Sequence, residues 1–310
     1  MGNRCATAGT GRSTTAVARL ARALPLVLLA SILLAGCSLV RPDGAGTIRY
    51  RDQFFSTYTV SKDIQYGSAV PQGATTPIPL LLDLYQPAGD TQTQRPAVVW
   101  VHGGSFTGGD KGTGPSADLA QKFSLLGYVT VSINYRLLQT GCTGGNITSA
   151  CGQAAVDAQH DAQAAVRFLR ANAVAYGIDP TRIGVGGDSA GAIAATLVGV
   201  RSDDPGTSGN PGYSSQVGGF ASISGGLPNG AFAGAGDSPG VLFSGTADTT
   251  VPYQWSVDTA NALNNANVPA FMETLQGAGH DPYYPPYDQQ FYEQSDYFFY
   301  DVLDLAHAAP

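Results

Sequence analysis

The chain is short of the side chains on which most catalytic chemistry draws: it has four histidines and four cysteines in 310 residues, and charged residues make up 13%. With so few histidines, any catalytic base can be sought by enumeration. Cys142 and Cys151 have no histidines nearby, and two thiols alone do not make a zinc shell, so no metal is expected. Basic residues are outnumbered, 16 against 23, for a net charge of −7. That balance argues against nucleic acid or an anionic membrane surface as partner. The apolar run at residues 24–35 is too short to span a bilayer comfortably. No internal repeat and no second core is evident. What is present is 43% hydrophobic content, with strand-like and helical runs in alternation, which suits one large α/β domain.

The first acid is Asp43, whereas Arg4, Arg12, Arg19 and Arg22 precede the apolar run. This is the form of an export signal. It ends in Leu34-Ala35-Gly36-Cys37, which resembles the lipobox of bacterial lipoproteins; the alternative is an ordinary signal peptide with a chance cysteine. The resemblance implies cleavage before Cys37 and lipidation of that residue, a membrane anchor facing the extracytoplasmic side, and a mature charge of −11 once the four arginines are gone. The expected divisions are a signal at 1–36, a tether at 37–46 and a catalytic domain at 47–310. Cys5 leaves with the signal and Cys37 carries lipid, so Cys142 and Cys151 remain as a disulfide pair closing a loop of about ten residues, worth roughly 2.7 kcal/mol by chain entropy. Asn146-Ile147-Thr148 matches a glycosylation sequon, taken as chance in a bacterial-type lipoprotein.

Two patterned segments, 48–60 and 78–85, read as antiparallel strands leading into a sheet. Residues 97–101 (Ala-Val-Val-Trp-Val) form the continuous apolar run of a strand buried on both faces. A helix is expected at 117–126, a strand at 128–134 and a long Ala-rich helix at 153–176, closed by Gly177. Further strands are expected at 217–223, 241–244 and 270–275, with helices ending near 265 and spanning 289–305. Residues 225–239 read as a Gly-rich loop, not a cap domain. The alternation means a mostly parallel central sheet with right-handed crossovers and helices on both faces.

The most informative stretch is 183–195, where a short apolar strand runs through Gly187-Asp188-Ser189-Ala190-Gly191 into a small-residue helix. A serine stands exposed on so sharp a turn only if its neighbours lack bulk, and Gly187 and Gly191 supply that space. A serine hydroxyl becomes a nucleophile when a base takes its proton and a carboxylate fixes the imidazole. His102 lies before Gly-Gly at a strand end, His160 within a long helix and His307 three residues from the C-terminus. His280 sits in a Gly-bounded loop just after a late strand, beyond the carboxyl end of the sheet where ligands gather. Asp248 also follows a strand, whereas Asp237 precedes one and Asp258 falls in a helix; Asp157 and Asp161, on an earlier helix, read as structural. Ser189, Asp248 and His280 are thus the expected triad. Backbone N–H groups of Gly103, Gly104 and Ala190 are the expected oxyanion donors.

His102-Gly103-Gly104-Ser105-Phe106, Asn134-Tyr135-Arg136-Leu137, the Ser189 turn and the Asp248 and His280 loops together resemble the α/β-hydrolase carboxylesterases, in the branch that shares the HGG loop with hormone-sensitive-lipase-like enzymes. The resemblance covers residues 80–305. It implies the α/β-hydrolase fold and a serine esterase without metal or cofactor, acting on small-molecule carboxylic esters. Ser105 stands where many relatives have a third glycine, and Ser244-Gly245-Thr246 where relatives often carry His-Gly. Phe106, Tyr253, Trp255, Tyr283 and Tyr284 are candidates to line a pocket. With no long insertion after residue 217 an open site and short acyl esters are expected, residues 38–78 being the candidate cover. A serine peptidase, a polyester or feruloyl esterase, and a noncatalytic binding protein on a hydrolase scaffold are the rival readings.

Overall fold

The computed structural model describes residues 39–139, 142, 149–280 and 283–308. The signal segment, Cys37 and the Asn146 sequon lie outside the described residues. The strands are β1 (Tyr58–Ala69), β2 (Ile78–Pro87), β3 (Arg95–Val101), β4 (Val129–Ile133), β5 (Ile178–Asp188), β6 (Phe220–Ile223), β7 (Gly240–Gly245) and β8 (Ala270–Leu275). They form one sheet in the order β1-β2-β4-β3-β5-β6-β7-β8. The β1–β2 and β2–β4 pairs are antiparallel and β4 through β8 run parallel. β3 and β4 are buried along their whole length, as unbroken apolar runs covered on both faces must be.

The helices are α1 (Gly114–Leu126), α2 (Ser149–Ala171), α3 (Ala173–Tyr176), α4 (Ala190–Val200), α5 (Tyr253–Asn265) and α6 (Asp288–Val302). Buried residues of α2, α4 and α5 join one apolar cluster, and those of α1 and α6 join a second. The long helix expected at 153–176 is two, interrupted at Asn172, and Gly177 ends the second in a left-handed conformation. β5 pairs Ile178 with Arg95 and then Ile183 with Ala97. Residues 179–182 are the bulge that this register shift requires.

Two expectations at the N-terminal end are corrected. The first strand is Tyr58–Ala69, not 48–60. Residues 48–52 form a turn in which Asp52 accepts from Ile48 N–H, and Tyr50 adopts a positive φ that a strand does not allow. The described part of the expected tether is docked on the domain: Gln294 of α6 brackets both backbone polar groups of Leu39, and the Arg51 guanidinium donates to the carbonyls of Pro42, Gly44 and Gly46. These five hydrogen bonds hold a segment that composition alone marks as free linker.

Candidate active site

Ser189 sits between the end of β5 and the first residue of α4. Its backbone is at φ 52° and ψ −118°, a sparsely populated conformation for a non-glycine residue and one that a packed surround must enforce. The surround is backbone: a Cβ at Gly187 would run into Gly191 and Val101, and one at Gly191 into the carbonyls of Val101 and His102. Glycine at both positions is therefore a packing requirement. The turn is further pinned by Ser189 N–H donating to Ile223 O at 2.8 Å.

Ser189 Oγ lies 2.8 Å from His280 Nε2, and His280 Nδ1 lies 2.8 Å from Asp248 Oδ2. A carboxylate oxygen only accepts, so Nδ1 carries the proton and Nε2 presents a lone pair to the serine hydroxyl. Asp248 is held in turn: its Oδ1 accepts from the N–H of Thr250 at 2.8 Å and of Val251 at 3.0 Å. The Asp248 and His280 loops are joined by Ala247 N–H to Ala278 O and by Gly277 N–H to Thr246 Oγ1. Thr246 thus braces the two loops. The side chain of Asp248 is fully buried and that of His280 is 22% exposed. The other carboxylates and histidines are engaged elsewhere: Asp237 with Gly234, Asp258 with Gln254, His160 with Asp204 and His307 with Asp304.

The oxyanion expectation changes in one member. Gly103 N–H donates to Asp188 Oδ2 at 3.0 Å, so it is spent on holding the loop against the Ser189 turn. Asp188 Oδ1 lies 2.6 Å from Ser116 Oγ at the start of α1. Ala190 supplies the first N–H of α4, which has no intrahelical partner, and Gly104 follows Gly103 on the loop. His102 is buried, which pushes its imidazole below the usual histidine range. It stacks on Tyr135, whose hydroxyl donates to His102 O. Neighbouring residues of the same segment brace other parts: Asn134 accepts from Lys111 N–H, and Arg136 pairs with Asp161 at 2.9 Å. Asp161 is structural, as expected of an acid on α2.

Ser189 opens into a cavity of about 290 Å³ with an almost wholly apolar lining. Phe106 and Trp255 line it; Tyr253, Tyr283 and Tyr284 do not. Tyr253 turns its hydroxyl to Thr274 on β8 at 2.8 Å, Tyr283 bonds Asp118 on α1 and stacks on Phe291, and Tyr284 is exposed. A hydroxyl that finds a partner on a neighbouring element leaves the pocket. No residue of 39–78 lines the cavity. Sequence reasoning missed Ile193 and Leu197, which line it from α4; their signal was the four-residue step from Ser189 along one helix face. It also passed over Leu227, Pro228, Ala231 and Phe232, which turn the Gly-rich loop into a wall. The cystine joining Cys142 and Cys151 lies in the lining as well.

The BD-FAE family model matches residues 82–218, a span that holds the His102 loop and the Ser189 turn but ends before Asp248. Among solved structures, Thermogutta terrifontis esterase 2 phosphoramylated by tabun superposes with a TM-score of 0.66 at 22% identity, covering 81% of this chain and 96% of that one. The architecture is thereby decided. This is the α/β-hydrolase fold. The butyrate-bound form of the same esterase matches at a TM-score of 0.63 and 23% identity, over 75% of this chain and 92% of its own. Lipase 1 of Geotrichum candidum is 32% identical over 118 residues, which is 37% of this chain and 21% of the lipase. This α/β-hydrolase chain therefore aligns with about a fifth of that relative's length.

Proposed function

We propose that this chain is a serine carboxylic-ester hydrolase of the HGG-loop branch, acting through an acyl-enzyme on esters of short acyl groups. The observation that carries the reading is the unbroken relay from Ser189 through His280 to Asp248, with contacts of 2.8 Å at each link. In this reading His280 Nε2 accepts the Ser189 proton as Oγ attacks the ester carbonyl, and Asp248 stabilises the imidazolium. The oxyanion is held by N–H groups of Gly104 and Ala190. His280 then protonates the leaving alcohol, and a water activated by the same imidazole releases the acid. The names of the relatives support ester chemistry, and a butyrate-bound structure of the same fold supports a short acyl group.

Ser189→Ala is expected to abolish hydrolysis of p-nitrophenyl butyrate, a loss of at least about 10³-fold in kcat, with an unchanged circular dichroism spectrum and melting temperature. Turnover retained by the folded variant refutes the assignment.

A further inference from the structure

The ester has two halves, and the geometry around Ser189 sorts them. The leaving oxygen must lie within reach of His280 Nε2, which protonates it. His280 does not line the 290 Å³ cavity, and its side chain is partly open to solvent. The alcohol half therefore faces outward, and the acyl half is the one that enters. An apolar cavity of about 150 Å³ already holds a benzene ring, so the limit on the acyl group is set by what closes this larger space.

Its walls are not alike. Ile193 and Leu197 stand on α4 and Trp255 on α5. Cys151 stands in the first turn of α2, with Ala155 four residues on along the same face. Gln72 holds that turn by donating to Ala150 O at 3.1 Å. Cys142 belongs to no helix or strand, yet it too lines the cavity, and its covalent bond to Cys151 fixes the two Cα atoms 5.6 Å apart. The cystine, apolar in character, thus contributes a wall built by a cross-link rather than by secondary structure.

We infer that the Cys142–Cys151 cystine is a specificity-determining wall of the acyl cavity, setting how long an acyl group Ser189 accepts. The inference rests on the ester-hydrolase reading above. Replacing both cysteines by alanine removes the two sulfur atoms of a lining pair and unties Cys142, so the cavity is expected to enlarge. One methylene accommodated or refused by an apolar pocket is worth at least about tenfold in kcat/KM.

The test is the ratio of kcat/KM for p-nitrophenyl octanoate to that for p-nitrophenyl butyrate. In the Cys142→Ala/Cys151→Ala double variant the ratio is expected to rise about tenfold over wild type. A ratio that stays put, whether both rates hold or both fall together, overturns the inference and leaves the cystine a fold staple. Should the double variant not fold, Ala155→Leu carries the test from the other side: extra bulk beside the cystine is expected to lower the ratio about tenfold, and an unchanged ratio overturns the inference equally. A wild type that hydrolyses neither ester overturns the hydrolase reading itself, a result distinct from an active wild type whose variants copy its profile.

Discussion

The two faces of the sheet are packed with different side chains. On the α1/α6 face the core is aromatic: Trp100, Phe123, Phe298 and Phe299 meet edge to face with centroids 5.2 to 6.2 Å apart, and the rings of Trp100 and Phe299 occupy the space left at Gly186 and Gly184 of β5. On the α2/α4 face the core is mainly aliphatic and is interspersed with small residues, among them Ala158, Ala162, Ala165, Ala194 and Ala195. Interlocked rings pack the first face densely. Small residues let backbone approach backbone, which the Ser189 turn requires, and the cavity opens on that side. Aromatic packing and the cavity thus lie on different faces of one sheet.

The division predicts what each face tolerates. Phe299→Ala empties a fully buried ring site on the aromatic face and is expected to destabilise by about 3–5 kcal/mol, read as a lowered urea midpoint. Ester turnover per folded molecule should hold, and a selective loss of turnover would break the separation. Gly191→Ala is the counterpart on the other face. Its methyl meets the carbonyls of Val101 and His102, so the turn must shift. The expected cost is about 1–3 kcal/mol of stability together with roughly 10²-fold in kcat/KM, since a displacement of about 1 Å at a reacting group costs that much.

The smallest effect concerns Asp296, buried on the aromatic face with no hydrogen-bond partner for Oδ1 among the described residues. Burial raises its pKa well above the carboxylate range, the Asp52 charge adds to this, and Arg51 and Arg41 oppose it. The folded state therefore holds this proton to a higher pH than the unfolded chain does. The stability it contributes is full below the unfolded pKa and is lost as pH rises from there toward the folded one. Asp296→Asn stays neutral throughout. Its urea midpoint relative to wild type should gain steadily from pH 4 to pH 8, and a gap that does not change with pH would show that Asp296 remains ionised in the fold.

The parts of the site legible in the sequence were those with a local signal. Ser189 is framed by glycines two residues away, and Asp248 and His280 each follow a strand, so short-range chemistry and chain order sufficed. The hydrogen bonds from Gly103 and Ser116 to Asp188 join residues 85 and 72 positions apart, and nothing local foretold that Gly103 N–H is already committed. The pocket aromatics were unreadable for a related reason: Tyr253 and Tyr283 are assigned by the partners of their hydroxyls, Thr274 and Asp118, which come from elsewhere in the chain. The strand at 58–69 was obscured by polar residues such as Lys62 and Asp63. It is an edge strand with two irregularities in its register, and charge and bulges there discourage pairing with another chain.

The central claim is that Ser189 is a nucleophile activated by His280. Treatment of the folded protein with a fluorophosphonate and peptide mapping by mass spectrometry tests it most directly. A single adduct on Ser189, absent from Ser189→Ala and strongly slowed in His280→Ala, is the predicted result. A folded wild type that stays unlabelled, or an adduct that persists on another serine in Ser189→Ala, would contradict it.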